Sequence, residues 1–199
     1  MHRRHFLSLC GSTPLWAARR GPRPFPDWSE EDIDRILTGS PWAAWLTIPI
    51  EKPPTRTEVY LVVRWKSALP VRQALVLTEF GREGLQHPQA VDALTRAPAS
   101  LELQIAGFPA LLFTDRAAAL ESQLRQSARV SIPGQPPAPP LSIQVPPHGN
   151  HLMAELSFAR FAGLTPAGKS IRISATVDGA RIEHEFKLKD MLYQGRLEV

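Results

Sequence analysis

The sequence predicts an α+β domain: a mixed sheet with helices on one face, and an antiparallel, hairpin-rich C-terminal half. Three observations predict it. In the first half, segments of helical period take turns with short β-branched and aromatic runs. From Ser170 to Leu188 the apolar residues alternate strictly on either side of Asp178-Gly179, a two-residue hairpin signal. The composition is that of a folded chain: 199 residues, 43% apolar and 21% charged, enough for one domain with its own core.

The elements follow in order. Residues 19–27 are Pro-rich and read as a linker ahead of a domain at 28–199. Ser29 is placed to cap a helix whose first turn carries Glu30, Glu31 and Asp32, acids suited to the positive end of its dipole. Trp28 before the cap and Ile33 inside it suit a hydrophobic staple, Ile36 and Leu37 extend the apolar face, and Gly39 is expected to end the helix in the left-handed conformation. Residues 57–65 are apolar on both faces and read as a central strand. Pro70 and Pro88 each open a helix. Leu101, Leu103 and Ile105 point one way along the next strand, with Glu102 and Gln104 on a wet face. Thr114 is expected to cap a helix through Leu120 and Leu124.

Proline accounts for 20 residues, about twice its usual share of about 5%. Much of the excess lies between Pro133 and Pro147, which reads as a stiff surface loop around a short edge strand at 141–145 rather than a polyproline docking ligand. Residues 152–159 form a further strand, with Glu155 on its wet face. After Asp178-Gly179 the return strand sets Ile182, His184, Phe186 and Leu188 on one face against Arg181, Glu183, Glu185 and Lys187 on the other. Residues 192–199 are expected to close the sheet. All helices are expected on one face of a single sheet.

Residues 1–18 have the order of a targeting segment: a basic start, an interrupted apolar run from Phe6, and small residues at Ala17 and Ala18. Arg3, Arg4, Phe6 and Leu7 resemble the core of the bacterial twin-arginine translocation signal, R-R-x-F-L. His2 and Ser8 depart from the residues common at its flanks. The resemblance implies passage through the twin-arginine export machinery and a periplasmic or extracellular location. Cleavage would remove Cys10 and leave no cysteine, so neither a disulfide nor a thiol nucleophile is expected. Cys10 also sits in a poor lipoprotein box, because Leu9 replaces the small residue such a box needs. Cleavage takes away two arginines and no acid, lowering the net charge of +4 by two. The remaining chain resembles exported bacterial proteins without an assigned activity, a resemblance that brings no functional residue with it.

Gly163 to Ser170, GLTPAGKS, fits the phosphate-loop string G-x-x-x-x-G-K-S. Such a loop works only where a helix starts at the Lys-Ser, so that free N–H groups and the dipole meet the phosphates. Here Ile171, Ile173 and Val177 have strand period, and Pro166 removes one N–H. The string is therefore expected to be a turn between strands, with Lys169 in solvent. His148, His151 and His184 form the candidate metal set, imidazoles that with a carboxylate would suit zinc. Against it, His148 and His151 fall in a loop and His184 on an apolar face, where a hydrogen-bonded core histidine is expected. Trp28, Trp42 and Trp45 form a candidate aromatic binding patch, with packing of the N-terminal helix as the competing role.

No nucleophile elbow, nucleic-acid motif or run of like charges occurs, no apolar run spans a bilayer, and no cofactor is expected. The expected function is a non-enzymatic binding or interaction domain of the cell envelope, with an unknown envelope protein or ligand as partner. Two alternatives stand beside it: a metal-binding protein or metal-dependent enzyme using His148, His151 and His184, and an escort subunit exported with another protein.

Overall fold

The structure, a computed structural model, describes residues 23–52, 55–110 and 116–199. The export motif Arg3, Arg4, Phe6 and Leu7, with Cys10, the cleavage site and Thr114, lies outside the described residues.

Helix α1 (Glu30–Thr38) begins where its first turn predicts. Asp32 N–H donates to the Ser29 hydroxyl, and the Asp32 carboxylate accepts from Ser29 N–H, a reciprocal capping box. These bonds hold the Asp32 carboxyl below its ordinary value, the Ser29 backbone N–H being the largest cause. Gly39 ends the helix differently from expectation, at φ −149°, outside the left-handed region, and Ser40 at once bridges to Ala43. The chain then runs through β1 (Ala43–Lys52), β2 (Thr55–Trp65), α2 (Leu69–Phe80), α3 (Pro88–Thr95), β3 (Leu101–Pro109) and α4 (Arg116–Ser127). Then come strands β4 (Arg129–Ser131), β5 (Ser142–Gln144), β6 (Pro147–His148), β7 (His151–Phe158), β8 (Ser170–Val177), β9 (Ala180–Lys187), β10 (Leu192–Tyr193) and β11 (Arg196–Leu197), with a 3-10 turn at Leu188–Asp190 between β9 and β10.

The α+β class and the hairpin-rich C-terminal half stand as the sequence predicts. The sheet is divided where one was expected, and among the described residues every ladder is antiparallel. Six strands form the main sheet in the order β1-β2-β3-β7-β5, with β6 on β7; β4, β8 and β9 form a second; β10 and β11 pair only with each other. The C-terminal residues therefore make a separate ribbon instead of closing the main sheet. Strand β1 went unread in the sequence. It occupies an edge, where Pro49 removes no ladder bond that a central strand would need.

Register sorts the main sheet into two faces. Inward, Leu46 lies opposite Leu61, Val63 opposite Ile105, Ile105 opposite Ala154, and Trp65 opposite Leu103, which in turn faces Leu156. These side chains join Leu120 and Leu124 of α4 and Ile171, Ile173 and Ile182 of the second sheet in one core. Trp65 meets Phe186 edge to face at 5.8 Å, so the two sheets touch through aromatic rings. Near the outward face β3 bulges at Gly107, φ +106°, where an added Cβ would press on the Tyr60 carbonyl oxygen; only glycine fits there.

The hairpin at Asp178-Gly179 forms with φ of +48° and +77°, the left-handed pair such a turn requires. Gln123 of α4 fastens it twice: its amide donates to Asp178 Oδ1 at 2.9 Å, and its carbonyl accepts from Asp178 N–H at 2.6 Å. The Pro-rich stretch is a surface loop, as predicted, bridged to β4 between Val130 and Ala138, and it delivers β5 to the sheet edge. Of the expected linker, Phe25 packs edge to face on Trp28, whose indole N–H donates to the Arg23 carbonyl.

Candidate functional site: the outward face of the six-stranded sheet

The outward face places Trp45 opposite Val62, Val62 opposite Ala106, and Ala106 opposite Met153. Tyr60 stands two residues before Val62 on the same face. Trp45 is 58% exposed and Tyr60 61%, unusual for aromatic rings on a folded surface. The next row is polar. Arg64 lies opposite Gln104, Gln104 opposite Glu155, and Glu155 opposite Gln144.

A hydrogen-bond chain runs along that row. Arg64 Nε donates to Gln104 Oε1 at 2.7 Å, and Gln104 Nε2 donates to Glu155 Oε1 at 3.1 Å. Lys66 Nζ reaches the same Glu155 oxygen at 2.8 Å. Gln104, expected on a wet face, is only 3% exposed because Arg64 and Glu155 flank it and take up its amide. Burial pushes the Arg64 guanidinium below its ordinary value, and the Glu155 carboxylate opposes that shift. The chain fixes the row: it satisfies buried polar groups and sets the direction in which Lys66 and Glu155 project.

The sequence-predicted residues are dispersed. Trp28 and Trp42 are 2% and 1% exposed and belong to the core, where the Trp42 indole N–H donates to the Glu198 carbonyl at 2.9 Å. Trp45 alone of the three faces outward, so the proposed three-tryptophan patch does not form. His148 and His151 stand opposite each other across a two-residue turn, both exposed. His184 sits in the second sheet opposite Ile173, half-buried, its ring edge to face with Phe186 at 4.5 Å instead of in the hydrogen bond expected of it. Burial lowers its pKa. Among the described residues no group of three His, Cys, Asp or Glu side chains is placed to hold a metal ion, so the three histidines do not make one site.

The phosphate-loop string resolves as the sequence predicts. Gly168 N–H donates to the Thr165 carbonyl in a turn, Lys169 is exposed, and Ser170 begins strand β8 instead of a helix. No row of free helical N–H groups meets an anion there.

Reading the sequence alone missed Tyr60, Arg64, Lys66, Glu102 and Gln104 as members of one surface. The alternation of Tyr60 and Arg64 with Leu61, Val63 and Trp65 was the available signal, obscured by Val62 on the outward side. The chain matches no protein-family model, no curated protein and no solved structure.

Proposed function

We propose that this chain is an exported, non-enzymatic interaction domain of the bacterial cell envelope, working through the outward face of its six-stranded sheet. The observation that carries the reading is the exposure of Trp45 and Tyr60 on that face, next to the hydrogen-bonded row of Arg64, Gln104 and Glu155. Large, stiff aromatic rings held on a rigid sheet lose little entropy on binding and bury much area. The polar row behind them is already bonded, so it holds the platform without offering a reactive group. Arg3, Arg4, Phe6 and Leu7 support the export part of the proposal. No helix of the described residues is long and apolar enough to cross a membrane.

Two experiments test it. Purified protein is applied to solubilised envelope fractions, alongside a Trp45→Ala, Tyr60→Ala variant. The variant should lose at least about tenfold in retention, equivalent to about 1.4 kcal/mol, while its unfolding midpoint stays that of the parent. Equal retention by both proteins refutes the assignment of the face. Separately, Arg3→Lys with Arg4→Lys should leave the chain in the cytoplasm; normal export of that variant refutes the route.

A further inference from the structure

On the same outward face as the aromatic pair, beyond the Arg64–Gln104 row, a cleft of about 290 Å³ opens between β3, β7 and the edge strand β5. Lys66, Glu102, Ser142, Gln144, Glu155 and Ser157 supply its polar lining. Register explains how they meet: Glu102 lies opposite Ser157, Ser157 opposite Ser142, and Glu155 opposite Gln144. Two neighbouring rows thus present polar side chains at the strand spacing of about 4.8 Å across and about 7 Å along. Lys66 and Glu155 are occupied with each other at 2.8 Å. The Glu102 carboxylate, the Ser142 and Ser157 hydroxyls and the Gln144 amide make no side-chain hydrogen bond with another described residue.

These free groups define a ligand. One carboxylate accepts from hydroxyl donors, two hydroxyls both donate and accept, and one amide does the same. Nothing in the cleft offers a cation free of its own carboxylate, and Glu102 repels anions, which removes phosphates and nucleic acids. A mostly polar lining gives an apolar ligand nothing to gain. A neutral, polyhydroxylated molecule satisfies every group. Trp45, on β1, lies two strand spacings across and four residues along from Glu102, about 16 Å away on the same face. The C–H faces of a sugar ring pack on such indole and phenol planes.

We propose that the cleft binds a neutral oligosaccharide laid diagonally over the strands, one unit hydrogen-bonded by Glu102, Ser142, Gln144 and Ser157 and a unit toward the other end of a tetrasaccharide stacked on Trp45 and Tyr60. The inference rests on the interaction reading above and names the ligand of that face. Its test uses the full chain titrated with three neutral probes: the β-1,4-linked N-acetylglucosamine tetrasaccharide, cellotetraose and maltotetraose. At least one should bind, with affinity unchanged between low salt and about 0.5 M, since no net charge meets the ligand. Glu102→Gln combined with Ser157→Ala, both half-buried and outside the core, should weaken it by at least about tenfold. Absence of binding to all three, unchanged binding in the double variant, or affinity that collapses in salt overturns the proposal. Should all three probes fail while envelope retention still depends on Trp45 and Tyr60, the saccharide falls and the interaction face stands. Retention indifferent to those rings instead removes the face itself.

Discussion

The two sheets turn very different faces to solvent. On the outward side of β8 and β9, Arg172 bonds to Glu185 at 2.8 Å and lies 3.4 Å from Glu183, and Arg181 pairs with Glu183 at 2.7 Å. Arg172 is answered across the hairpin by Glu185 and Glu183, and Arg181 along β9 by Glu183. The outward side of the six-stranded sheet is built the other way: Arg64, Glu155 and Lys66 bond along one row, Arg56 pairs with Glu51 at 3.9 Å near one end, and two exposed aromatic rings and several hydroxyl, amide and carboxylate groups make no side-chain hydrogen bond with another described residue. A self-paired charged surface is at rest in water and selects no partner. A surface with rigid rings and unfilled hydrogen bonds gains by acquiring one. That difference, not the mere presence of charge or tryptophan, is why the functional proposal falls on one sheet.

The comparison is broken most completely where the sheets join. Trp65 is fully buried against Phe186. Trp65→Ala should destabilise the protein by about 3–5 kcal/mol, read as a lowered urea midpoint. Trp65→Phe should be far milder. It keeps an aromatic ring against Phe186 and removes an indole N–H that is buried without a partner among the described residues. A Phe variant as unstable as the Ala variant would mean that the indole's volume, and not the aromatic meeting of the sheets, holds them together.

The next effect belongs to the outward face of the main sheet alone. Gln104→Ala deprives Arg64 Nε of its acceptor and Glu155 of a donor, in a place only 3% exposed at the glutamine. Loss of about 1–3 kcal/mol is expected, along with weaker binding at the cleft that Lys66 and Glu155 border. Gln104→Glu should not rescue it, because the new carboxylate would face Glu155. Unchanged stability in Gln104→Ala would show that the row is solvated and not a built platform.

How much of this was legible follows from where each signal resides. The β8–β9 hairpin was readable in both strands and their turn, apart from Leu188, which falls in a 3-10 turn just past β9, because alternation and the Asp178-Gly179 turn are local in sequence. The end of the phosphate-loop reading followed from the same alternation. Strand β1 was obscured by Pro41, Pro49 and two tryptophans that go to opposite sides, although Leu46, Ile48 and Ile50 carry the strand period. Trp42 and Trp45 are three residues apart, yet one is core and one is surface; what separates them is a partner at Glu198, remote in the chain. The polar row depends on the register of β2, β3 and β7, elements separated by 40 and 51 residues at the bonded positions. No local pattern encodes such a register, so Gln104 could only look like a wet-face residue.

Smaller still is a pH effect confined to the second sheet. Burial lowers the His184 pKa in the folded chain, so the folded state favours the neutral ring. The unfolded chain, near the ordinary value of about 6.5, then binds more protons as pH falls. The stabilisation from neutral His184 is whole above that value and is lost as pH drops through it toward the lower folded pKa. The groups around the ring are Phe186, Ile173 across the ladder, and Glu185, whose charge opposes the shift. His184→Leu should flatten the stability profile between pH 7 and 5 (about one unit either side of the histidine range) and leave envelope retention untouched. A profile just as steep in that variant would assign the proton uptake to another group.

The smallest effect is predicted where the second sheet's charges pair with one another. Arg172 is exposed, between Glu183 and Glu185, which raise its already high pKa chiefly through the Glu185 hydrogen bond. Water replaces such bonds readily, and salt screens what remains. Arg172→Ala should therefore leave both the unfolding midpoint and the retention of the protein on envelope fractions at the parent values, measured beside the Trp45→Ala, Tyr60→Ala variant. The pairing of Arg181 with Glu183 persists in its absence, and among the described residues the exposed aromatic rings, Trp45 and Tyr60, belong to the other sheet. Should removing Arg172 weaken retention as much as removing the two rings does, the resting face would be a working one, and the contrast between the sheets would lose its functional meaning.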